Sequence, residues 1–162
     1  RSTLFPYTTL FRSIIECMKV DIKILHKNAS QPAYQTEQSA GMDLTARIDG
    51  PVKIEPHGRV IIPTGIAISL PVGYEAQIRG RSGMAAKFGI MPANGVGTID
   101  ADYRGEIGVI LLNTSDQSFV VEPGMRIAQM VVTSYERVEW NEVGQLDETE
   151  RGSGGYGSTG HA

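Results

Sequence analysis

Short apolar runs that alternate with polar residues are the feature that most limits the fold of this chain. Alternation at period two, as in MKVDIKIL and GIAISL, places every second side chain on the same face of an extended strand. In these two stretches the predicted apolar faces consist of Val20, Ile22 and Ile24, and of Ile66, Ile68 and Leu70. Both stretches are therefore predicted to be half-buried β-strands.

Further candidate strands follow at short intervals, in VKI, RVII, YEAQI, EIGVILL, SFVV and RIAQMVV. Clusters of Gly, Pro, Asn and Asp separate them, as in PHG, LPVG, PANGVG and EPG. Many short strands with turn signals between them predict a β-sandwich or barrel. Only SGMAAKFG indicates a helix, of about two turns, with Ser82 as its N-terminal cap and Gly89 at its end.

Composition fits one domain with a buried core and excludes some classes of function. The chain has 162 residues, 41% hydrophobic residues, a formal net charge of −3 and an isoelectric point near 5.6. This acidity argues against a general nucleic-acid-binding protein, and no apolar run approaches the ~18 residues of a membrane helix. A single cysteine, Cys17, cannot form an internal disulfide and fits a reducing, cytoplasmic setting.

The two ends of the chain differ in composition from the middle. Residues 1–17 contain the repeated string TLF and resemble the in-frame translation of a sequencing adapter, so we expect an artefactual, disordered segment before Met18. Residues 18–140 carry the strand pattern and are expected to form the β-domain. Residues 141–162, with the glycine-rich RGSGGYGSTG, are expected to form a flexible C-terminal arm.

Two segments carry polar residues where burial is expected. Asp43 lies in AGMDLTA between apolar neighbours, and a buried carboxylate there costs several kcal/mol unless it is paired. Arg126 and Gln129 interrupt the apolar strand RIAQMVV. An Asp43–Arg126 pair is one interpretation; a turn aspartate that bonds nearby backbone is the other.

RGRSGMAAKFG places Arg81, Ser82 and Gly83 at the predicted helix start. Backbone N–H groups, a hydroxyl and a guanidinium at such a position suit a phosphate group. An ordinary capped helix with surface arginines explains the same residues.

NGVGTIDADYRG predicts a tight hairpin at Asn94, Gly95 and Gly97, whose backbone could present polar groups to a planar base. Asp100 follows, and an oriented carboxylate in a partly dry cleft can take a proton from water. Tyr103 supplies a flat ring nearby. A plain β-turn with solvated acids is the alternative.

In the tail, Arg151 with its glycines could wrap a polyphosphate, although such tails are usually only disordered. The histidines are scattered, and no group of residues has the spacing of a metal site.

Five segments in this order resemble the trimeric dUTP diphosphatases (dUTPases): AGMDLTA, GRSGMAAKFGI, NGVGTIDADYRG, RIAQM and RGSGGYGSTG. The similarity spans residues 18–160. It implies an all-β, jelly-roll-like fold with one short helix, assembled as a homotrimer with active sites shared between subunits. It also implies hydrolysis of dUTP to dUMP and pyrophosphate with Mg²⁺ held through phosphate oxygens and water, which would keep uracil out of DNA and supply dUMP for thymidylate synthesis.

The resemblance also implies roles for individual residues. Asp100 would be the general base that activates water for attack on the α-phosphorus. The phosphates would be held by Arg81, Ser82, Gly83, Gln129, Arg151 and Gly157. Uracil and the sugar would be contacted by Asn94, the backbone around Gly97, Thr98 and Ile99, Tyr103 and Tyr156. Asp43 would support the site by holding Arg126.

The sequence departs from the family pattern at Gly80, where proline is usual, and at Tyr156, where phenylalanine is common; neither change removes a required group. A dCTP deaminase shares this fold but needs a glutamate where this chain has Ile110. A non-catalytic dUTP-binding regulator is a further alternative.

Overall fold

The computed structural model describes residues 17–155 and contains twelve β-strands and one helix. The strands in the first half are β1 (Asp21–Ile24), β2 (Ala33–Tyr34), β3 (Met42–Thr45), β4 (Val52–Ile54), β5 (Arg59–Pro63), β6 (Ile66–Ser69) and β7 (Tyr74–Arg79). After helix α1 (Ser82–Phe88) come β8 (Ile90–Pro92), β9 (Gly97–Ile99), β10 (Gly108–Asn113), β11 (Phe119–Val121) and β12 (Arg126–Ser134). The predicted all-β class is therefore confirmed.

Early and late strands pair in a nested order. β3 pairs with β12, β4 with β11 and β5 with β10, each time antiparallel. Residues 42–63 and 108–130 thus run along each other like the two arms of one long hairpin. A long strand pair wrapped around a core in this way is the architecture of a jelly roll.

The nested pairs belong to four sheets. The largest has the order β2-β3-β12-β7-β9, a second has the order β5-β10-β8, and β1-β6 and β11-β4 form two-stranded sheets. The strand faces that point inward are mainly apolar, as the period-two pattern predicts, with Asn113 at the end of β10 as a buried polar exception. The largest fully buried apolar side chains are Leu44, Ile54, Ile62, Ile66, Ile90, Ile107, Val109, Leu111, Val121 and Ile127.

The predicted strands are present, with differences at their edges. Ile66, Ile68 and Leu70 are buried as predicted, whereas Ile24 at the end of β1 is largely exposed. The short strands β2, β3, β8 and β9, of two to four residues each, were not predicted, although the equally short β4 and β11 were.

The helix confirms Gly89 as its end but not Ser82 as its cap. Gly89 has the left-handed backbone (φ 66°) that favours glycine. The cap position belongs to Arg81, whose extended backbone precedes the first helical residue, Ser82, and no side chain caps the helix. The carbonyl of Arg81 accepts from the N–H groups of Met84 and Ala85 and so closes the first turn.

The buried side chain of Asn113 links the end of β10 by hydrogen bonds to β4 and to the loop after β10. Its amide donates to the carbonyl oxygens of Ile54 (3.2 Å) and Gln117 (2.7 Å), and its carbonyl accepts from the N–H (3.0 Å) and hydroxyl (2.8 Å) of Ser115. A buried polar group that loses its partner costs about 1–3 kcal/mol. Asn113 therefore contributes to the stability of the nested strands.

Asn113→Leu should lower the free energy of unfolding by about 2–4 kcal/mol, because Ile54 O and Ser115 N–H lose this partner without gaining water. Urea-induced unfolding at one fixed protein concentration measures the change. Gln117→Ala is the matched control, since only the backbone of exposed Gln117 takes part. Equal stability of the two variants would contradict the assigned role.

Candidate functional site

Predicted site residues from separate segments meet on one face of the five-stranded sheet. Gln129 in β12 lies opposite Asp43 in β3 on one side and opposite Arg79 in β7 on the other. Side chains alternate between the faces of a strand, and their neighbours Leu44, Met130 and Ile78 are buried in the core. We call the opposite face, which carries Asp43, Gln129 and Arg79, the polar face.

A β-bulge brings Arg126 to the polar face as well. The register shifts between Arg126, which pairs with Thr45, and Ala128, which pairs with Leu44. One extra residue in β12 reverses the alternation locally, so that Arg126 and Gln129 share a face although they are three positions apart. Ile127 and Ala128 are consecutive and both buried, which is the sequence signal of this bulge.

Asp43 is the centre of an ion cluster. Its side chain is only 4% exposed and lies in a strand, which excludes the alternative of a turn aspartate. Arg126 Nη1 donates to Asp43 Oδ2 at 3.1 Å, so the predicted pair is confirmed. Arg81 Nε lies 3.2 Å from Asp43 Oδ1, a second ion pair that the sequence did not reveal.

The geometry of the cluster leaves positive charge in excess. The Arg81 contact lacks hydrogen-bond alignment, and Asp43 Oδ1 accepts no hydrogen bond from the part of the chain that the structure describes. Arg81 Nη1 donates instead to the carbonyl of Arg126 at 3.1 Å, and Arg126 Nη1 also donates to Gln35 Oε1 at 3.1 Å. Two guanidinium groups thus share one carboxylate in fixed positions, a suitable environment for an anion.

Ser82 and Gly83 follow Arg81 directly and are exposed on the first turn of α1. A Cβ added at Gly83 would meet no atom within 4 Å, so this turn is open to solvent. Of the predicted phosphate-binding residues, Arg81 and Gln129 are thus both next to Asp43, by an ion pair and by strand register, and Ser82 and Gly83 follow Arg81 in the chain.

The segment after Pro92 is not the hairpin that the sequence predicts. β8 pairs with β10, and β9 pairs with β7, so residues 93–96 cross between two sheets. Only Gly95 has a positive φ (71°). Gly97 is needed for space instead, because a Cβ there would lie 3.1 Å from Asn94 Nδ2 and 3.2 Å from Ile78 Cβ.

This crossover borders a small cleft of about 120 Å³. The cleft is lined by the predicted base-contacting residues Asn94, Gly97, Thr98 and Ile99, together with Ile78, Pro92, Gly108, Val109 and Ile110. Ile78 belongs to the core-facing side of the sheet, opposite to the polar face. Within one chain the cleft thus lies on the core-facing side of the sheet, away from the polar face that carries Gln129, whereas the side chain of Thr98, which pairs with Gln77, is on the polar face.

Asp100 is exposed directly after β9. Its carbonyl oxygen accepts from the N–H of Tyr103 at 3.1 Å and closes a turn, and within residues 17–155 no backbone N–H donates to its carboxylate. The ring of Tyr103 packs on Gly105, and its hydroxyl donates to the carbonyl of Glu106 at 3.0 Å. The Tyr103 side chain thus has a defined position at the end of the cleft-bordering strand, whereas the Asp100 carboxylate is open to solvent.

The C-terminal candidates are not brought to the other site residues. Arg151 Nε donates to the carbonyl of Gly154 at 2.9 Å, within a turn where Gly152 has φ 52°. Between residues 17 and 155, no hydrogen bond or ion pair joins residues 136–155 to the β-domain. Tyr156 and Gly157 lie outside the described residues.

A larger hollow, of about 440 Å³, lies elsewhere and is bordered by His26, Arg47, Asp49 and Glu106 among others. None of the predicted site residues lines it, so its size does not mark the site.

In the described range 17–155, no three His, Cys, Asp or Glu side chains are grouped as metal ligands, and no helix there is long and apolar enough to cross a membrane.

The chain is similar to known proteins over nearly all of its length. The dUTPase family model matches residues 27–160. The deoxyuridine 5'-triphosphate nucleotidohydrolase of Orientia tsutsugamushi (strain Boryong) is 56% identical over 146 residues, which cover 88% of this chain and 99% of that protein. Its counterpart from Rickettsia bellii (strain OSU 85-389) is 62% identical over 129 residues, with coverages of 80% and 86%.

A solved structure of the Staphylococcus bacteriophage 80alpha dUTPase with dUPNHPP has a TM-score of 0.80 and 29% identity, over 88% of this chain and 99% of that one. The nested jelly roll therefore has its counterpart in a solved dUTPase structure, and the chain belongs to the dUTPase family.

Proposed function

We propose that this protein hydrolyses dUTP to dUMP and pyrophosphate with Mg²⁺ in a site shared between three copies of the chain. The observation that carries the proposal is the ion cluster of Asp43, Arg81 and Arg126, which holds excess positive charge beside Gln129. Family membership supports the same activity, since the relatives named above are nucleotidohydrolases of deoxyuridine triphosphate. The proposal places the β-domain within residues 18–140, the arm within 141–162, and the reaction in the cytoplasm.

The phosphate chain is bound at the polar face. Arg81, Ser82, Gly83 and Gln129 contact the phosphates there, and charge-assisted hydrogen bonds to phosphate oxygens are stronger than neutral ones. Asp43 keeps Arg81 and Arg126 in position without cancelling both charges. When bound, Mg²⁺ neutralises part of the phosphate charge and is held through phosphate oxygens and water.

The base and sugar are bound at the cleft. Asn94 and the backbone of Gly97, Thr98 and Ile99 contact uracil, and the narrowness of the cleft excludes a 5-methyl group. Tyr103, fixed by its bond to Glu106, packs against the sugar. Ile110 borders the cleft and offers no carboxyl group, so the acid–base group that a deaminase needs is missing at this position.

Asp100 acts as the general base. Its carboxylate is exposed directly after β9, beside the cleft, and accepts no backbone hydrogen bond from residues 17–155. It accepts a proton from water as the water attacks the α-phosphorus, and pyrophosphate leaves. A positioned base contributes about 10²–10⁴ in rate, and the aligned cations supply further stabilisation of the transition state.

The outward face of the β5-β10-β8 sheet supports assembly with further copies. Ile61 lies opposite Ile110, and Leu112 lies opposite Met91, all on the side away from the core. Ile61 is 65% exposed in the single chain. Contiguous exposed apolar side chains mark interaction surfaces, and Ile110 also borders the cleft, so a neighbouring copy seated here stands next to the bound base.

Sharing between copies also resolves the separation of the site residues. The cleft and the polar face of one chain lie on different sides of the sheet, whereas the cleft of one copy can face the polar face of the next. Residues 135–155 can span up to about 70 Å when extended, enough to carry Arg151, Tyr156 and Gly157 to another copy. There Arg151 contacts the γ-phosphate and Tyr156 stacks on uracil.

Asp100→Asn should leave dUTP binding nearly unchanged and lower kcat by about 10²-fold or more, because the amide cannot accept the proton from water. Pyrophosphate release and equilibrium binding of a non-hydrolysable dUTP analogue measure the two effects. Asp102→Asn, also exposed in the same turn, is the matched control and should retain activity. A kcat close to that of the parent protein would overturn the role of Asp100.

Ending the chain at Glu150 should leave the fold and the oligomeric mass intact while kcat/KM falls by about 10²-fold or more, since Arg151 and the residues after it no longer reach the phosphates. Circular dichroism tests the fold, light scattering gives the oligomeric mass, and pyrophosphate release gives kcat/KM. Arg151→Gln in the full chain separates the guanidinium from the rest of the arm. Full activity of the shortened chain would exclude a role for the arm.

Ile61→Lys should convert the trimer into folded monomers with little activity, because a charge in the apolar interface is costly to bury. Sedimentation velocity gives the mass, and pyrophosphate release gives the activity. Val72→Lys places the same charge at an apolar residue that is 93% exposed between β6 and β7 and should stay trimeric. An active, trimeric Ile61→Lys variant would refute this interface.

A further inference from the structure

Arg79 is a cation on the polar face that the five sequence segments do not include. It ends β7 and lies in register opposite Gln129, which in turn lies opposite Asp43. Residues directly opposite on one sheet face have Cβ atoms about 4.5–5.5 Å apart. The Cβ atom of Arg79 therefore lies next to the Cβ atom of Gln129, which is a proposed phosphate ligand.

A ladder of side chains along β7 holds the Arg79 guanidinium. Gln77 Oε1 accepts from Arg79 Nε (3.1 Å) and from Nη2 (2.5 Å), while Gln77 Nε2 donates to Glu75 Oε1 at 2.7 Å. The bond to Glu75 fixes the orientation of the Gln77 amide so that its oxygen faces Arg79. Arg79 Nη1 has no hydrogen-bond partner in the stretch from residue 17 to residue 155.

The ladder positions Arg79 without neutralising it. Its acceptor is a neutral amide, and none of the ion pairs within residues 17–155 includes Arg79. Glu75 is four residues from Arg79 in β7, so their backbone positions are about 13 Å apart along the strand. Its carboxylate is at the other end of the ladder. Positive charge therefore stands on both sides of Gln129, from Arg79 on one side and from the Asp43 cluster on the other.

We propose that Arg79 is a further substrate-binding residue, whose guanidinium contacts the phosphate chain beside Gln129 and is pre-oriented by Gln77 and Glu75. This inference rests on the proposed function and adds a cation to the phosphate ligands given there. An arginine held in one orientation before the ligand arrives loses little entropy when it binds.

Arg79→Gln should raise the KM for dUTP about tenfold, which corresponds to about 1.4 kcal/mol, while kcat stays within about twofold. Inhibition by pyrophosphate should weaken by a similar factor, and inhibition by deoxyuridine, which lacks phosphates, should not change. Arg79→Lys keeps the charge but loses the planar fork and should give an intermediate KM. Lys53→Gln, which removes an exposed charge from β4, should match the parent protein.

A KM within twofold of the parent value in Arg79→Gln would overturn the inference. Equal weakening of pyrophosphate and deoxyuridine would also overturn it, because it would show a general distortion of the site. If Arg79→Gln does not fold, the KM and pyrophosphate inhibition of Arg79→Lys decide instead. If the parent protein does not hydrolyse dUTP, the proposed function fails, and calorimetric titration with pyrophosphate still tests Arg79: equal affinity of parent and variant would refute its role.

Discussion

The ion cluster around the buried carboxylate of Asp43 is the interaction on which the site depends. An isolated charge at this depth would cost several kcal/mol, and removal of one partner from such a cluster is costly because the remaining charge stays buried. The partners come from different elements: Arg81 precedes the helix, and Arg126 begins the last strand. The same contacts that compensate Asp43 therefore fix the start of α1 relative to the start of β12.

The fold separates recognition of the base from recognition of the phosphates. The crossover between β8 and β9 forms a cleft on the core-facing side of the five-stranded sheet, whereas the cations occupy its polar face. The apolar outward face of the β5-β10-β8 sheet lies next to the cleft through Ile110. In the proposed trimer these three features become one site, because the neighbour that covers the apolar face also brings its polar face to the cleft. Specificity for uracil and catalytic power then depend on the assembly.

Sequence reasoning succeeded where one physical rule acts over a local stretch. The burial of Ile66, Ile68 and Leu70 follows from alternation, and the pairing of Asp43 with Arg126 follows from the cost of an uncompensated carboxylate. It failed where the outcome depends on distant partners. Because β9 pairs with β7, the expected hairpin is a crossover between two sheets. Arg81 takes the cap position of α1, and its ion pair with Asp43 depends on the tertiary fold. Arg79 was missed because its significance lies in its register opposite Gln129, which only the folded sheet reveals.

In the proposed site, the cleft and the cations of the Asp43 cluster act together on one nucleotide. Pyrophosphate release measured with Mg²⁺ in parallel for dUTP, dTTP, UTP and dCTP tests it most directly. We expect efficient release from dUTP alone, because in the proposed site the cleft excludes the methyl group of thymine, Tyr103 opposes the 2'-hydroxyl of ribose, and the backbone of residues 97–99 contacts the edge of uracil. Comparable release from all four nucleotides, or none from dUTP, would contradict it.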